Sequence, residues 1–205
     1  MYQAMISEIA KNKLENFKPS FDEINKKMSP NELLKNSEKL GISGDKFEIE
    51  GIKNEVAEKE KIAEKSNYSN EVNEKIRSVE ELEVYQNEGL VESTVNDRTV
   101  LKDTSINPDL IDEKGRTNLE RMEKGLAPID ENGKPYNLHH IGQNADSPLA
   151  ELKDGVHKKN DAILHDKSKP TEVHGSNSEV NWDKERSDHW KARAEEIKTE
   201  QNKGA

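Results

Sequence analysis

The chain has 205 residues, of which 30% are hydrophobic, 4% aromatic and 36% charged, with a formal charge of -10 and no cysteine. That composition excludes disulfides, cysteine-held zinc and one large apolar core. It allows one compact domain beside a loosely packed or partly disordered helical region. No apolar run approaches membrane-spanning length. The start, Met1-Tyr-Gln-Ala-Met-Ile-Ser-Glu8, lacks the basic region and apolar core of a cleavable signal peptide. The charge is uneven. Residues 1–113 hold nine more acidic than basic side chains, whereas residues 114–205 hold only one more. The C-terminal part is still not basic, so it lacks the usual electrostatic footprint of a DNA-binding protein.

In chain order, weak apolar stripes predict short helices over 3–15 and 21–28. Ser29-Pro30 reads as a cap followed by proline at the first helical position, Leu33, Leu34 and Leu40 as an apolar face, and Gly41 as a terminator. Residues 45–66 are rich in Glu and Lys, with Phe47, Ile49, Ile52, Val56 and Ile62 spaced for a narrow helical face. Ser66-Asn-Tyr-Ser-Asn70 reads as a break, and a further helix is expected over 71–87. No internal repeat is evident. Ser93 to Leu101 reads as a hairpin around Asn96-Asp97. Thr117 to Lys124 reads as a capped helix ending before Gly125. Asn132-Gly133 is a turn leading into a strand at 136–141. A helix is expected from near Asp154, and a C-terminal helix over 183–198 with Trp190, Ala194 and Ile197 on its apolar side.

Chemistry concentrates in Leu138-His139-His140-Ile141 and in the segment that follows it, with His157, Asn160 and His165. Successive strand residues point to opposite faces. One imidazole can therefore hold a metal while its neighbour acts as a general base. An isolated His-His pair is more often a surface turn. The pair followed by donors at helical spacing is what a strand-strand-helix metal nuclease needs. Phosphodiester hydrolysis requires an activated water, stabilisation of a charged transition state and help for the leaving oxygen. Histidine suits the base role because its ordinary pKa, roughly 6.5, lies near working pH. Lys153, Lys158, Lys159, Lys167 and Lys169 could supply local positive charge. His174 and His189 read as non-catalytic, Trp182 and Trp190 as core or helix-docking residues, and Gln143 as a buttress for the His-His strand. Arg116, Arg121, Arg186 and Arg193 read as surface or ion-pair residues.

Leu138-His-His-Ile-Gly-Gln143, Ser147-Pro-Leu-Ala-Glu-Leu152, His157, Asn160 and Ile163-Leu-His165 resemble the LHH family of the HNH/endonuclease VII superfamily. Gly115 to Gly125, Glu185-Arg186 and Trp190 to Ala194 add to the likeness, which covers roughly residues 82 to 197. Members of that family sit at the C-termini of bacterial polymorphic toxins. The resemblance implies an α+β fold: a small strand-strand-helix (ββα-metal) nuclease core with flanking helices over 82–205, preceded by a mostly helical acidic spacer or pre-toxin region over 1–81. It makes His140, His139, Asn160 and His157 the candidate catalytic residues. His139, Asn160, His165 and His157 become the candidate donors to one divalent ion (Mg²⁺, Mn²⁺, Ni²⁺ or Zn²⁺). His140 matches the base position and His139 a ligand position, while His157 suits either a ligand or a phosphate contact.

The implied activity is DNA hydrolysis by a metal-dependent endonuclease toxin used in interbacterial competition. Its implied partners are DNA, a cognate immunity protein and secretion chaperones, with no membrane partner. Delivery is expected through a specialised route, often type VII with LXG-type proteins, into the cytoplasm of a target cell. The short length without an LXG-like N-terminal domain suggests a fragment or an orphan cassette. Two alternatives stay open: an RNase using the same site, and a non-enzymatic module whose histidines hold a structural zinc. The lack of cysteine departs from the endonuclease VII branch, which often carries a cysteine zinc site.

Overall fold

The structure, a computed structural model, describes residues 46–168, 172–173 and 181–203, with side chains from residue 54. The helices expected over 3–15 and 21–28, the capped stretch from Ser29 to Gly41, and His174 lie outside the described residues. The chain divides into two compact units, residues 1–79 and 80–205.

In the first unit the Glu/Lys-rich stretch forms helix α1 (Lys46–Lys65). It buries Val56 and Ile62, which lie on one face with Lys59 between them. Helix α2 (Asn70–Lys75) is capped by the Ser69 hydroxyl, which accepts from the Val72 N–H. The single helix expected over 71–87 is two. The break falls at Ile76-Arg77-Ser78, before α3 (Val79–Asn87). Its cause lies on α1, far away in sequence. The buried Lys59 ammonium donates to the carbonyls of Asn73, Glu74 and Ile76, which ends α2. The neighbouring Glu58 carboxylate accepts from the Val79 N–H at 2.8 Å, which starts α3. Two adjacent side chains of opposite charge thus satisfy two helix ends of opposite polarity.

The second unit is built on a four-stranded sheet in the order β1-β2-β4-β3. Strands β1 (Val91–Val95) and β2 (Arg98–Lys102) are antiparallel, with Val95 opposite Arg98. Asn96 and Asp97 between them have φ of 52° and 60°, the paired left-handed conformation that a two-residue hairpin turn requires. Strand β3 (Asn137–His140) pairs antiparallel with β4 (Leu149–Leu152), which pairs parallel with β2. Strand β4 has no counterpart among the expected elements. It occupies the sheet interior, and all four of its residues are buried.

Helix α4 (Asn118–Glu123) opens with a capping box: the Thr117 hydroxyl accepts from the Glu120 N–H while the Glu120 carboxylate accepts from the Thr117 N–H. It packs against the long helix α7 (Trp182–Lys203). Gly125, with φ of +72°, ends the α4 segment where a Cβ would strike the Ser187 side chain of α7. The core joins Val95, Val100, Met122, Tyr136, Leu138, Leu149, Trp190 and Ala194. A buried polar knot fastens α7 to the sheet. Fully buried Glu151 of β4 accepts from Arg193 Nε at 2.8 Å and from the Asp103 N–H at 2.9 Å, and pairs with His189 Nε2 at 2.8 Å. His189 is thus packed inside this knot.

A short repeat does exist, contrary to the sequence reading. Ile111-Asp-Glu-Lys-Gly-Arg-Thr117 returns eighteen residues later as Ile129-Asp-Glu-Asn-Gly-Lys-Pro135. Each forms the same closed turn, bridged at its ends and tied by an aspartate that accepts two backbone N–H groups. The Asn118 side chain bonds to the backbone of Ile129 and Asn107, so the start of α4 holds this region together. Arg116 and Arg121 both pair with Asp112, as ion-pair residues.

Candidate metal centre

The His-His strand β3 lies at the sheet edge, beside β4. After it come a 3-10 turn at Ile141–Gln143, the strand β4, and two short helices, α5 (Asp154–Lys159) and α6 (Asp161–Leu164). The Asn137 amide donates to the Asp154 carboxylate at 3.2 Å, which ties the start of β3 to the first turn of α5. That tie brings α5 over the strand, with His157 on it.

Three imidazoles meet there. The His139 ring centroid lies 5.4 Å from that of His157 and 5.1 Å from that of His165, and His157 and His165 lie 5.0 Å apart. One ring nitrogen from each falls within 4.8 Å of the others. Metal–nitrogen bonds of about 2.1 Å could be reached from this spacing by small side-chain rotations. Burial, and then the neighbouring His165, lower the His157 pKa. Its ring is held neutral, as a ligand must be. His165 Nδ1 lies 3.0 Å from Asp161 Oδ1 and 3.2 Å from the Asp161 carbonyl. A proton on Nδ1, donated to Asp161, turns the Nε2 lone pair toward an ion, the usual outer support of a ligand histidine. The donor set therefore fits a divalent ion. Imidazole donors favour zinc, nickel or a similar transition metal over magnesium, which prefers oxygen.

His140 goes the other way. It is buried, its ring lies 5.2 Å from that of Trp182, and its Nε2 is 3.0 Å from Glu185 Oε2 on α7. A cavity of about 180 Å³ is lined by His139, His140, Gln143, His157, His165, Val173 and Trp182, so both adjacent histidines reach one space.

The remaining sequence candidates are placed as follows. Asn160 sits at the junction of α5 and α6, where its amide nitrogen donates to the Val156 carbonyl at 2.9 Å. It shapes the turn between the helices and does not line the cavity. The Gln143 side-chain oxygen accepts from the Asp166 N–H, so it secures the segment after His165. Trp190 is wholly buried, while Trp182 both packs on the core and lines the cavity, which the core reading alone did not foresee. Lys158 and Lys167 pair with Asp154 and Asp161, and Arg193 with Glu151. Sequence reasoning missed Asp161, whose signal is its position four residues before His165. It quoted Glu185 without a role and passed over Arg98.

Residues 117–196 match the sequence model of LHH, described as a nuclease of the HNH/ENDO VII superfamily with conserved LHH. Leu138-His139-His140 falls inside the matched segment. No solved structure matches the chain.

Proposed function

Residues 117–196 belong to the LHH family of HNH/endonuclease VII superfamily nucleases, and from that premise we propose that the chain is a metal-dependent endonuclease acting on DNA. The observation that carries this reading is the division of labour at the His-His strand. His139 meets His157 and His165, while His140, which lines the same cavity, has its Nε2 beside Glu185. His139, His157 and His165 would hold the ion. When bound, it supplies Lewis-acid stabilisation of the phosphate charge and of the leaving oxygen. His140 takes the proton of the attacking water as general base. Trp182 walls the cavity beside it and limits bulk water there.

Three imidazole donors leave coordination positions for substrate, which favours catalysis over a closed structural zinc site. The test is cleavage of supercoiled plasmid and of a folded RNA, each with chelator and after return of Zn²⁺, Ni²⁺, Mn²⁺ or Mg²⁺. DNA nicking that chelator abolishes and a transition metal restores supports the reading. Cleavage of RNA alone would move the activity to the RNase alternative. Cleavage of neither substrate would leave a binding module.

The family resemblance supports a wider reading. The chain acts as a toxin domain delivered to the cytoplasm of a target bacterium, and a cognate immunity protein neutralises it. Expression inside bacteria should arrest growth, and the His140→Ala variant should not. A fragment from residue 80 should keep the activity, because residues 1–79 form a separate compact unit.

A further inference from the structure

The chain leaves the His-His strand through an uncommon turn. Gly142 has φ of 79° and Gln143 φ of 64°, so two successive residues adopt the left-handed conformation. Glycine enters it freely, but a residue with a side chain does so at a cost in free energy. Gln143 is held there by two bonds. Its backbone carbonyl accepts from the Glu172 N–H at 3.3 Å, and its side-chain oxygen accepts from the Asp166 N–H. Of the two ends of an amide only the oxygen can accept, so the second bond also fixes which way the amide is turned. The N–H pair at the other end has no acceptor among the described residues. Gln143 lines the cavity that holds the three clustered imidazoles and His140. Among the described residues, no lysine or arginine lines it. The Asn137 amide, which also reaches it, is turned to Asp154. Gln143 is thus the amide left to meet what enters beside the histidines.

We infer that Gln143 is a substrate-binding residue whose amide N–H pair donates to a non-bridging oxygen of the scissile phosphate. The inference rests on the nuclease reading above. A phosphodiester carries its negative charge on its two non-bridging oxygens, and attack by water concentrates charge there. A donor already fixed in place stabilises that charge without reorganising. The bond from the Asp166 N–H supplies the fixing. The donor is also neutral. A lysine at this position would repel a cation held by the neighbouring imidazoles, and an amide does not. No proton leaves Gln143. The size of the space agrees with a phosphate contact. At about 180 Å³ the cavity is smaller than sites that enclose a whole small molecule, which run to about 300–1,000 Å³. It suits a phosphate group and not a nucleoside, so the contact carries no sequence information. The backbone conformation then has a purpose, because it returns a residue three positions beyond His140 to the same cavity. Support of the segment after His165 accounts for the oxygen of Gln143 and leaves its nitrogen without a role.

The test separates the two ends of the amide in the full chain. Gln143→Glu keeps an oxygen for the Asp166 N–H and removes the donor pair. Gln143→Gly removes both and suits the left-handed backbone. Both should lower kcat on plasmid DNA by on the order of a hundredfold, the scale of losing one transition-state donor. Gln143→Glu should be at least as slow as Gln143→Gly, because its carboxylate faces the phosphate. A Gln143→Glu protein that cuts at the wild-type rate overturns the inference and leaves Gln143 as a support for the segment at Asp166. Ni²⁺ should still raise the melting temperature of Gln143→Gly, since the three imidazoles are untouched; loss of that rise would make Gln143 a support of the ion site instead. Side-chain amide NMR reads the contact without turnover. The Gln143 amide pair, assigned by its disappearance in Gln143→Gly, should shift when a short DNA duplex is titrated into the ¹⁵N-labelled protein in chelator. A pair that stays in place while other signals move overturns the inference and leaves the nuclease reading standing. Absence of both binding and cleavage sinks the DNA reading, and the role of Gln143 with it.

Discussion

The buried carboxylate of Glu151 is the most exacting place to test how the site is supported. It has no exposed surface, and it meets His189, Arg193 and the Asp103 N–H at 2.8 to 2.9 Å. Truncation to Ala would remove all three partners at once. Arg193 would remain buried, with Glu196 at 2.6 Å and the Asp103 carbonyl at 3.3 Å still in reach. Removing one member of a buried pair typically costs about 3–5 kcal/mol. The surviving contacts of Arg193 place Glu151→Ala at the lower end, about 3 kcal/mol. In a domain of this size that corresponds to a fall in Tm of roughly 10 °C. Glu151→Gln keeps the shape and one acceptor oxygen, so it should lose about half as much. Urea denaturation followed by tryptophan fluorescence reads both values, since Trp190 sits next to His189. A Glu151→Ala protein within 1 kcal/mol of wild type would refute the reasoning, because the knot would then be ornamental and α7 would be held by apolar packing alone.

Three further outcomes are expected. Ni²⁺ or Zn²⁺ should raise the melting temperature of the wild type and of His140→Ala, but not of His165→Ala, while His140→Ala should lose on the order of a hundred- to ten-thousand-fold in cleavage rate; differential scanning fluorimetry beside a plasmid assay separates the two. Gly125→Ala should destabilise the domain by about 1–3 kcal/mol, because its φ is positive and its Cβ would strike Ser187, and adding Ser187→Gly should recover the steric share. Side-chain and backbone hydrogen bonds from Arg116, with Arg121 adding to them, hold the Asp112 carboxyl well below the usual carboxylate range. Its contribution to stability is present above its unfolded pKa of about 3.9 and is lost as pH falls through the lowered folded value, so Asp112→Asn should flatten the acid limb of the stability profile in urea midpoints taken from pH 5 to pH 2.

Local signals in the sequence translated well into structure. The Asn96-Asp97 hairpin and the Thr117 capping box formed where turn and cap chemistry placed them, the strand expected over 136–141 formed as Asn137–His140, and the helix expected from near Asp154 formed as two short ones meeting at Asn160. Strand β4 was illegible because Leu149-Ala-Glu-Leu152 is four residues long and puts a charged residue in the interior. Only Arg193 and His189, some forty residues away, make Glu151 tolerable there. The break at 76–78 was hidden for the same reason, since its cause is Lys59 and Glu58 on another helix. At the site, the three clustered histidines were readable as donors within one stretch of chain. Glu185 was not readable as the carboxylate beside His140, nor Arg98 as its partner, because these contacts arise only when α7 and β2 come together.

The two halves of the site differ in how far along the chain they reach. His139, His157 and His165 fall within one stretch from 139 to 165, whereas the carboxylate beside His140 is that of Glu185 downstream, itself paired with Arg98 upstream. Closing a short loop costs less entropy than closing a long one, and contacts of high sequence separation tend to form late in folding. The imidazole cluster can therefore assemble from its own hairpin and helices. The surroundings of His140 are complete only once the β1–β2 ribbon and α7 have docked. A chain that is only partly refolded would thus gather its three ring nitrogens before the surroundings of His140 are complete.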